Sequence, residues 1–192
     1  MYTITLKENE KLLLPILWTG EETELSYSIS LAGRGAGITF LALLLGKASH
    51  TLKLKTHIYH QAPDTTSNIL VKSTLQDTSQ IHFDGLIKIA HGAKRTNAWL
   101  AAHMLLLSNK AKGSAIPNLE IQENDIKAGH AATVGKISDV EIFYLMSRGF
   151  TEKQAKILIM EGFLESIITK FPQKLISKSR KKLEGLELAS NL

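Results

Sequence analysis

Histidine and carboxylate side chains are the groups in this sequence that could bind a metal, because its 192 residues include seven histidines and no cysteine. The absence of cysteine excludes disulfides, thiolate nucleophiles and any zinc or iron–sulfur site built from this chain's own thiolates. Five histidines are scattered through strand-like sequence: His57, His60, His82, His91 and His103. No two of them have the spacing of a helical metal-binding pair. The pattern favours structural or solvent-facing roles, and it predicts that His57 and His82 face solvent.

His130 has a different setting, within residues 119–135, which join the last predicted strand to the first predicted helix. This segment is rich in glycine, alanine and threonine, a composition typical of tight turns and close backbone approach. Connecting segments often carry functional side chains. A single histidine at such a boundary is nevertheless more often a hydrogen-bonded structural residue, so the local sequence leaves its role open.

A glycine cluster at Gly33–Gly37 has the composition of a phosphate-binding loop but not its spacing. The residues that follow it, Ile38 to Leu41, favour a strand over the helix whose N-terminus would hold a phosphate. The cluster is therefore predicted to be a turn between two strands.

The C-terminal region carries a run of basic residues: Lys170, Lys174, Lys178, Arg180, Lys181 and Lys182. The formal charge of the chain is +5, which permits an acidic partner without requiring one. From Lys174 to Lys182 no aromatic residue is interleaved, unlike in proteins that stack single-stranded bases. The run favours a solvated helix face, then docking to an acidic protein, and it makes nucleic acid an unlikely partner.

A strand-rich region, residues 2–125, would position most of these side chains. Leu52, Leu54, Thr56 and Ile58 alternate with outward-type residues, which is the period of a strand with one buried face. Turn-rich clusters separate such runs at residues 63–68, 76–79, 91–94 and 108–110. Short strands at fairly regular spacing predict a sandwich, a barrel or an irregular β-solenoid, and periodicity does not choose among them.

The longest apolar run, Ile38 to Leu45, has eight residues, whereas a membrane-spanning helix needs about twenty. Residues 1–10 include Lys7, Glu8 and Glu10 and no apolar segment, which predicts the absence of a secretory signal. The chain is 44% hydrophobic and 21% charged, as ordinary soluble domains are. The expected location is the cytoplasm, with no membrane partner.

Helical patterning begins at Ser138, where Ser138 and Glu141 have the spacing of a capping box, and it predicts a helix to about Ser147. Thr151 and Gln154 predict a second helix in the same way. The apolar face predicted for this second helix contains Ala155, Leu158, Ile159, Gly162, Phe163 and Ile167. Residues 173–185 are predicted to form a third, basic helix. The expected organisation is a β body over residues 1–137 and a helical subdomain over residues 138–192.

A set of short motifs at maintained spacing resembles the SufB/SufD family, the scaffold proteins of the SUF iron–sulfur cluster assembly system. The motifs are HQAP at 60–63, TSN at 66–68, FDG at 83–85, AKRTNA at 93–98, LLLS at 105–108, PNLEI at 117–121, DIK at 125–127, HAATVG at 130–135, FYL at 143–145 and SRG at 147–149. The dense match covers about residues 57–170. As a set, these motifs are far more specific than any single glycine loop.

The resemblance implies a mainly β fold, a right-handed parallel β-helix with a small C-terminal helical subdomain. It implies a SufD-like, non-catalytic scaffold subunit of an iron–sulfur cluster assembly complex. The β-helix would pair with a SufB-like chain or with a second copy, and the C-terminal helices would dock a SufC-type ABC ATPase, which would supply any ATPase activity. The docking residues expected from the resemblance are Phe143, Tyr144, Arg148 and Phe163.

His130 matches the histidine of the family's cluster-assembly motif, which implies that it is a candidate ligand of iron or of a nascent cluster. That cluster would be transient and shared with a partner chain, with none bound by this chain alone, and a neutral imidazole can bind iron. Many family members have a cysteine where this chain has Ala128, and Trp99–Leu100 replaces an aromatic–glutamine pair. The usual N-terminal extension is largely missing. Without cysteine, the chain is expected in the SufD role rather than the SufB role.

Two alternative functions remain open from the sequence. One is a degenerate β-helix interaction module that kept its docking surfaces and lost cluster chemistry. The other is a carbohydrate-active β-helix enzyme, which needs paired carboxylates in a groove, and Asp64, Asp77 and Asp84 are not obviously clustered. An alternative role for Phe143 and Leu145 is to pack the helical subdomain onto the end of the β-helix, where an uncovered solenoid would expose its core.

Overall fold

A computed structural model describes residues 1–187 and contains ten strands followed by three helices. The strands are β1 Tyr2–Leu6, β2 Lys11–Trp18, β3 Glu24–Leu31, β4 Gly37–Gly46, β5 Thr51–His60, β6 Thr66–Leu75, β7 Gln80–Ile89, β8 Thr96–Leu106, β9 Lys112–Ile121 and β10 Ile126–Lys136. The helices are α1 Asp139–Met146, α2 Glu152–Ile168 and α3 Gln173–Glu187.

The ten strands form two parallel sheets in which the chain alternates from one sheet to the other. The odd sheet has the order β1-β3-β5-β7-β9 and the even sheet has the order β10-β8-β6-β4-β2. Each successive pair of strands adds one coil, so the body is a parallel β-helix of five coils. Coil length varies along the chain. Lys53 pairs with His82 in the next coil and His82 pairs with Ser114 in the one after, and the second step contains more residues than the first. The parallel β-helix implied by the resemblance is confirmed, and the variable coil length explains why no exact repeat is visible in the sequence.

The interior of the β-helix is filled by alternate residues of every strand. On β5, Leu52, Leu54 and Ile58 are fully buried, whereas Lys53 and His57 are exposed. The predicted period of two is therefore confirmed for this strand. Burying each such leucine or isoleucine contributes about 1.5–3 kcal/mol.

The coil corners are tight turns that repeat along one edge of the solenoid. Gly35, Asp64 and Arg95 have φ values of 70°, 61° and 57°, and they lie at the same corner of successive coils. The backbone N–H of Gly35 donates to Pro63 and that of Asp64 donates to Lys94, so each turn binds the next. The cluster Gly33–Gly37 forms one of these corners, between β3 and β4, as predicted.

The helices pack along the outer face of the even sheet rather than over an end of the solenoid. Leu41, Leu43 and Leu45 point outward from β4 and form a second core with Met160, Leu164 and other residues of α2 and α3. Strand β4 is therefore covered on both faces, which explains why the longest apolar run of the sequence lies there. The alternative role for Phe143, packing the helices onto the end of the β-helix, is not found, because its side chain is exposed.

Two further predictions about the helices need correction. The Ser138 side chain makes no capping hydrogen bond to α1, although Thr151 and Gln154 form the predicted capping box at α2. The buried face of α2 is Ala155, Met160, Leu164, Ile167 and Ile168, whereas Leu158 is exposed. Apolar residues occur around most of this helix, so its rotation is set by packing against β4 and not by periodicity.

Candidate functional site

His130 lies in the middle of the last strand and not in a connecting turn. All of β10 pairs in parallel with β8, and His130 is opposite Leu100 in that register. The prediction that residues 119–135 join the last strand to the first helix is therefore wrong. The glycine and alanine residues of this segment are compatible with a strand, because β8 is a continuous parallel partner for residues 126–136.

The row of residues that contains His130 is an interior row of the β-helix. Ile69 and Leu100, the preceding members of the row, are fully buried in the core. His130 continues the row onto the fifth coil, where no further coil of the described chain covers it, and its side chain is exposed. Within residues 1–187 the imidazole has no hydrogen-bond partner. It is therefore free to meet a group supplied from outside.

Apolar residues share the uncovered coil with this imidazole. The open-end surface, as we call it, consists of the interior-row residues Ile121, Ala128, His130, Ala132 and Val134. Ile121 and Val134 are exposed although their partners in the preceding coil, Ile89 and Met104, are buried. In the described part of the chain, β9 and β10 each have a neighbour on one side only. The surface thus combines exposed apolar area with unpaired strand edges, which are features of a surface that is covered by another chain.

The opposite face of β10 is held by an aromatic side chain. A Cβ atom at Gly129 would lie 2.3 Å from Cζ3 of Trp99, so the indole packs directly on the glycine backbone. The two residues that differ from the family pattern nearby therefore have distinct surroundings: Trp99 points outward, and Leu100 lies in the core below His130.

The remaining histidines do not join His130. His57 is exposed and His82 is half-buried, so the solvent-facing prediction is confirmed for His57 and partly for His82. His103 faces Thr133 across 2.8 Å on the outer side of the even sheet. Among residues 1–187 there is no group of three or more side chains of the metal-binding types. Among the described histidines discussed above, His130 is therefore the one on an uncovered interior row, and residues 1–187 bring no second ligand to it.

His60 is a structural residue inside the solenoid. Its Nδ1 lies 2.8 Å from the Thr65 hydroxyl and its Nε2 lies 2.9 Å from the Ser67 hydroxyl. Thr65 in turn contacts Thr96 in the next coil at 3.0 Å. Burial lowers the pKa of His60 to about 4, because the charged imidazolium would lose its hydration there. This histidine is neutral at physiological pH, and through Thr65 it links two successive coil corners.

The four expected docking residues lie on two different helices. Phe143, Tyr144 and Arg148 lie on or just after α1, where Phe143 is 71% exposed and the Arg148 guanidinium stacks on the Tyr144 ring at 4.9 Å. Phe163 is on α2, half-buried beneath Lys72, whose ammonium is 4.2 Å from the ring centroid. The structure brings Tyr144 and Arg148 into contact, and Phe163 lies on the other helix.

Ile121 and Val134 belong to the open-end surface although the sequence motifs do not single them out. The signal that could have found Val134 is the alternation of Ile126, Ala128, Ala132 and Val134 around His130, which has the period of a strand. Ile121 could not be found in this way, because only the coil geometry brings β9 beside β10.

Asp64, Asp77 and Asp84 each have a different polar partner in the structure. Asp64 is held between Arg34 and Arg95, the Asp77 carboxylate accepts from the backbone of Ala48, and Asp84 accepts from Asn118. A groove over the first residues of β3, β5, β7 and β9 is lined by a single carboxylate, that of Glu24. The paired carboxylates that glycoside hydrolysis needs are not brought together in that groove.

No helix within residues 1–187 is both long and apolar enough to cross a membrane.

The fold and the open-end surface define a parallel β-helix protein whose candidate site lies on an uncovered coil. Residues 13–163 match the family model described as SUF system FeS cluster assembly, SufBD core domain. The chain is 36% identical to the iron–sulfur cluster assembly protein SufD of Bacillus subtilis over 136 residues, which is 71% of this chain and 31% of that protein. It is 33% identical to SufB of the same organism over 143 residues, 74% of this chain and 30% of that protein. The chain belongs to the SufBD family of the SUF iron–sulfur cluster assembly system.

The length of the match limits what these relatives say about the chain. A SufBD family protein of Mycobacterium leprae is 32% identical over 159 residues, which is 79% of this chain and 41% of that protein. The chain thus spans roughly a third of the two Bacillus relatives and less than half of the mycobacterial one. The matched region contains nearly the whole β-helix together with α1 and most of α2.

Proposed function

We propose that this chain is a SufD-like, non-catalytic scaffold subunit that helps to assemble iron–sulfur clusters in the cytoplasm. In this proposal the open-end surface pairs with a cysteine-bearing SufB-like chain. The observation that carries it is the position of His130, whose imidazole has no partner within residues 1–187 and lies on an interior row that no further described coil covers. A partner that covers this coil brings its own residues to the imidazole.

Pairing at the open end is supported by the state of the last coil. Ile121 and Val134 are exposed at positions whose counterparts one coil earlier are buried, so a further layer would remove them from water. The backbone edges of β9 and β10 can hydrogen-bond to strands of a second chain. A second copy of this chain would find the same surface, so a homodimer is the competing arrangement.

His130 is proposed to supply one nitrogen ligand to iron or to a nascent cluster, which is the cargo of the complex. The chain has no cysteine, so the thiolates must come from the partner. A neutral imidazole binds iron through a ring nitrogen, and both nitrogens of His130 lack a partner within the described chain.

The helix α1 is proposed to dock a SufC-type ABC ATPase, to which any ATPase activity belongs. Val140, Phe143, Tyr144 and Met146 expose apolar or aromatic side chains on this one short helix, and none of its residues is buried. A helix without buried residues adds little to the core of its own chain, so these side chains are available to a partner. Phe163 would act indirectly, by holding α2 against Lys72.

The pairing is tested by co-purification of the full chain with a cysteine-bearing SufB-type protein and a SufC-type ATPase. Val134→Glu should abolish capture of the SufB-type protein, because a charge would be buried at the interface. Leu13→Glu is the matched control, since Leu13 is 43% exposed on a strand of the first coil and Val134 is 41% exposed on the last. Failure of the unmodified chain to bind either protein would reject the scaffold function.

The role of His130 is tested separately from pairing. His130→Ala should retain partner capture and an unchanged melting temperature, because the side chain is exposed and unpartnered, while cluster formation on the complex falls. If cluster formation is unchanged, the chain is an interaction module without a part in cluster chemistry. If the variant does not fold, the histidine is structural.

A further inference from the structure

A groove of about 530 Å³ crosses the outer face of the odd sheet, which the helices do not cover. It lies over the first residues of β3, β5, β7 and β9, on a different sheet from His130. Its volume is within the range of sites that hold small molecules. Neither the pairing nor the ATPase docking proposed above uses this groove.

The strand register arranges the polar side chains of the groove in two rows. Thr51, Gln80 and Lys112 are paired in one row, and Lys53, His82 and Ser114 are paired in the next. Neighbouring strands are about 4.8 Å apart. Lys53 on β5 and Lys112 on β9 therefore stand on either side of the β7 residues Gln80 and His82. Two flexible ammonium groups can converge on one anion held above β7.

Six polar side chains of the groove have no partner among residues 1–187, whereas several polar groups elsewhere on this face are paired. Outside the groove, Lys88 pairs with Glu120 at 3.0 Å, and Asn118 donates to Asp84. Inside it, the side chains of Lys53, His82 and Lys112 have no hydrogen-bond or ion-pair partner among residues 1–187, and neither do those of Thr51, Gln80 and Ser114. The one carboxylate, Glu24, lies 3.8 Å from Lys55, which offsets part of its charge.

We propose that this groove binds a small molecule through a phosphate group. Lys53 and Lys112 provide the two positive charges, and Gln80, Thr51 and Ser114 provide neutral hydrogen-bond donors. Lysine binds phosphate as a point charge that adapts to the position of the oxygens. Hydroxyl and amide donors then fix the orientation of a group that has several acceptor oxygens. The groove is polar and shallow, so the phosphate contributes most of the affinity.

The proposal is tested by titrating the full chain with inorganic pyrophosphate in a calorimeter at low salt. Saturable binding with a stoichiometry of one is expected. Lys53→Gln and Lys112→Gln should each weaken it about tenfold, as expected for the loss of one charge-assisted hydrogen bond. Citrate is titrated in parallel, because it has a similar charge without phosphorus.

A matched control separates the groove from the overall positive charge of the chain. The pair Lys127→Gln and Lys174→Gln removes two exposed lysines outside the groove, and it should leave pyrophosphate binding within twofold of the unmodified chain. Equal weakening in the groove and control variants would overturn the proposal, as would absence of binding. Binding of citrate as tight as that of pyrophosphate would overturn the assignment to phosphate. None of these results depends on whether the chain pairs with SufB-type or SufC-type proteins.

Discussion

The imidazoles of His60 and His130 show how position within the solenoid decides what a side chain does. Both occupy interior rows, one on the third coil and the other on the fifth. His60 is fully buried, and hydroxyl groups meet both of its nitrogens. In the described part of the chain, His130 has neither a covering coil nor a hydrogen-bond partner. The same residue type is thus a structural link in one coil and a candidate ligand in another.

The stability of the chain should depend on pH through His60. Its folded pKa of about 4 lies below its unfolded value of 6.5, so the unfolded chain binds more protons between these two pH values. The free energy of unfolding therefore has its full value, with respect to His60, above pH 6.5. It falls as the pH falls towards 4, by about 3 kcal/mol in all. Urea unfolding at pH 7.0, 5.5 and 4.5 measures this loss.

The control for that experiment is His60→Gln, which keeps polar atoms but does not titrate. Its stability should vary less over the same interval, so the difference between the two proteins should shrink as the pH falls. Asp64, whose pKa is held at about 2 by Arg95 and then by Arg34, is affected only below about pH 4. Parallel curves for the two proteins between pH 7.0 and 4.5 would show that His60 is not the source of the dependence.

Substitution of Gly129 should disturb Trp99 without disturbing the core. A Cβ at Gly129 would lie 2.3 Å from the indole, so Gly129→Ala must displace the ring, at a cost of about 1–3 kcal/mol. Tryptophan fluorescence should shift, because the other tryptophan, Trp18, is buried far along the chain and should not respond. At Gly135 an added Cβ would meet nothing within 4 Å, so Gly135→Ala should leave fluorescence and melting temperature unchanged. Equal effects of both substitutions would contradict the packing described for Trp99.

At the scale of single elements, the sequence predicts what is encoded locally and not what depends on a distant neighbour. The alternation of β5 and the Thr151–Gln154 cap are local, and both are present. The strand β10 was not predicted, because glycine and alanine favour strands only where a partner such as β8 is available. The rotation of α2 was not predicted either, because β4 selects its face. The motif set identified His130, but the apolar surface around it follows from the coil geometry.

Lys72 is a link between the β-helix and α2 that only the structure reveals. Its ammonium donates to the Phe163 carbonyl at 2.8 Å and to the Ser166 hydroxyl at 2.6 Å, and it lies over the Phe163 ring. Lys72→Met should retain the buried stem and lose these contacts, at a cost of about 1–3 kcal/mol. Hydrogen exchange should accelerate in α2 and α3 and remain unchanged in β4.

Lys88→Met is the control for Lys72, because Lys88 lies on the odd sheet and pairs with an exposed glutamate, Glu120. It should leave exchange in both helices unchanged. A Lys72 variant whose helices exchange at the original rate would show that the apolar core of α2 against β4 is sufficient to hold the subdomain.

At the scale of the whole molecule, stability in a solenoid is close to a sum over coils and their interfaces. A central coil has neighbours on both sides, whereas the fifth coil has only the fourth within the described chain. The first coil likewise has only the second, so both terminal coils should open more easily than the central ones. The last of them is the coil that presents His130. Length and composition alone could not predict this gradient of stability between terminal and central coils, because it follows from the position of each strand in the order of its sheet.

The gradient can be measured with two residues of a single interior row, Ile87 on β7 and Leu119 on β9, which pair directly. Ile87 is fully buried, so Ile87→Ala should lower the free energy of unfolding by about 2–5 kcal/mol and accelerate exchange throughout the β-helix. Leu119 is partly buried, so Leu119→Ala should lower the free energy of unfolding by less and accelerate exchange mainly in β9 and β10.

If a SufB-type chain covers the open end, its addition should slow exchange in those two strands in the unmodified protein. Addition of the SufB-type chain should also increase the loss of free energy of unfolding caused by Leu119→Ala, because Leu119 then lies within a continuous core. Equal costs for the two substitutions without a partner, together with uniform exchange along the solenoid, would show that the fifth coil is as stable as the fourth, and the case for a partner-covered end would lose its physical basis.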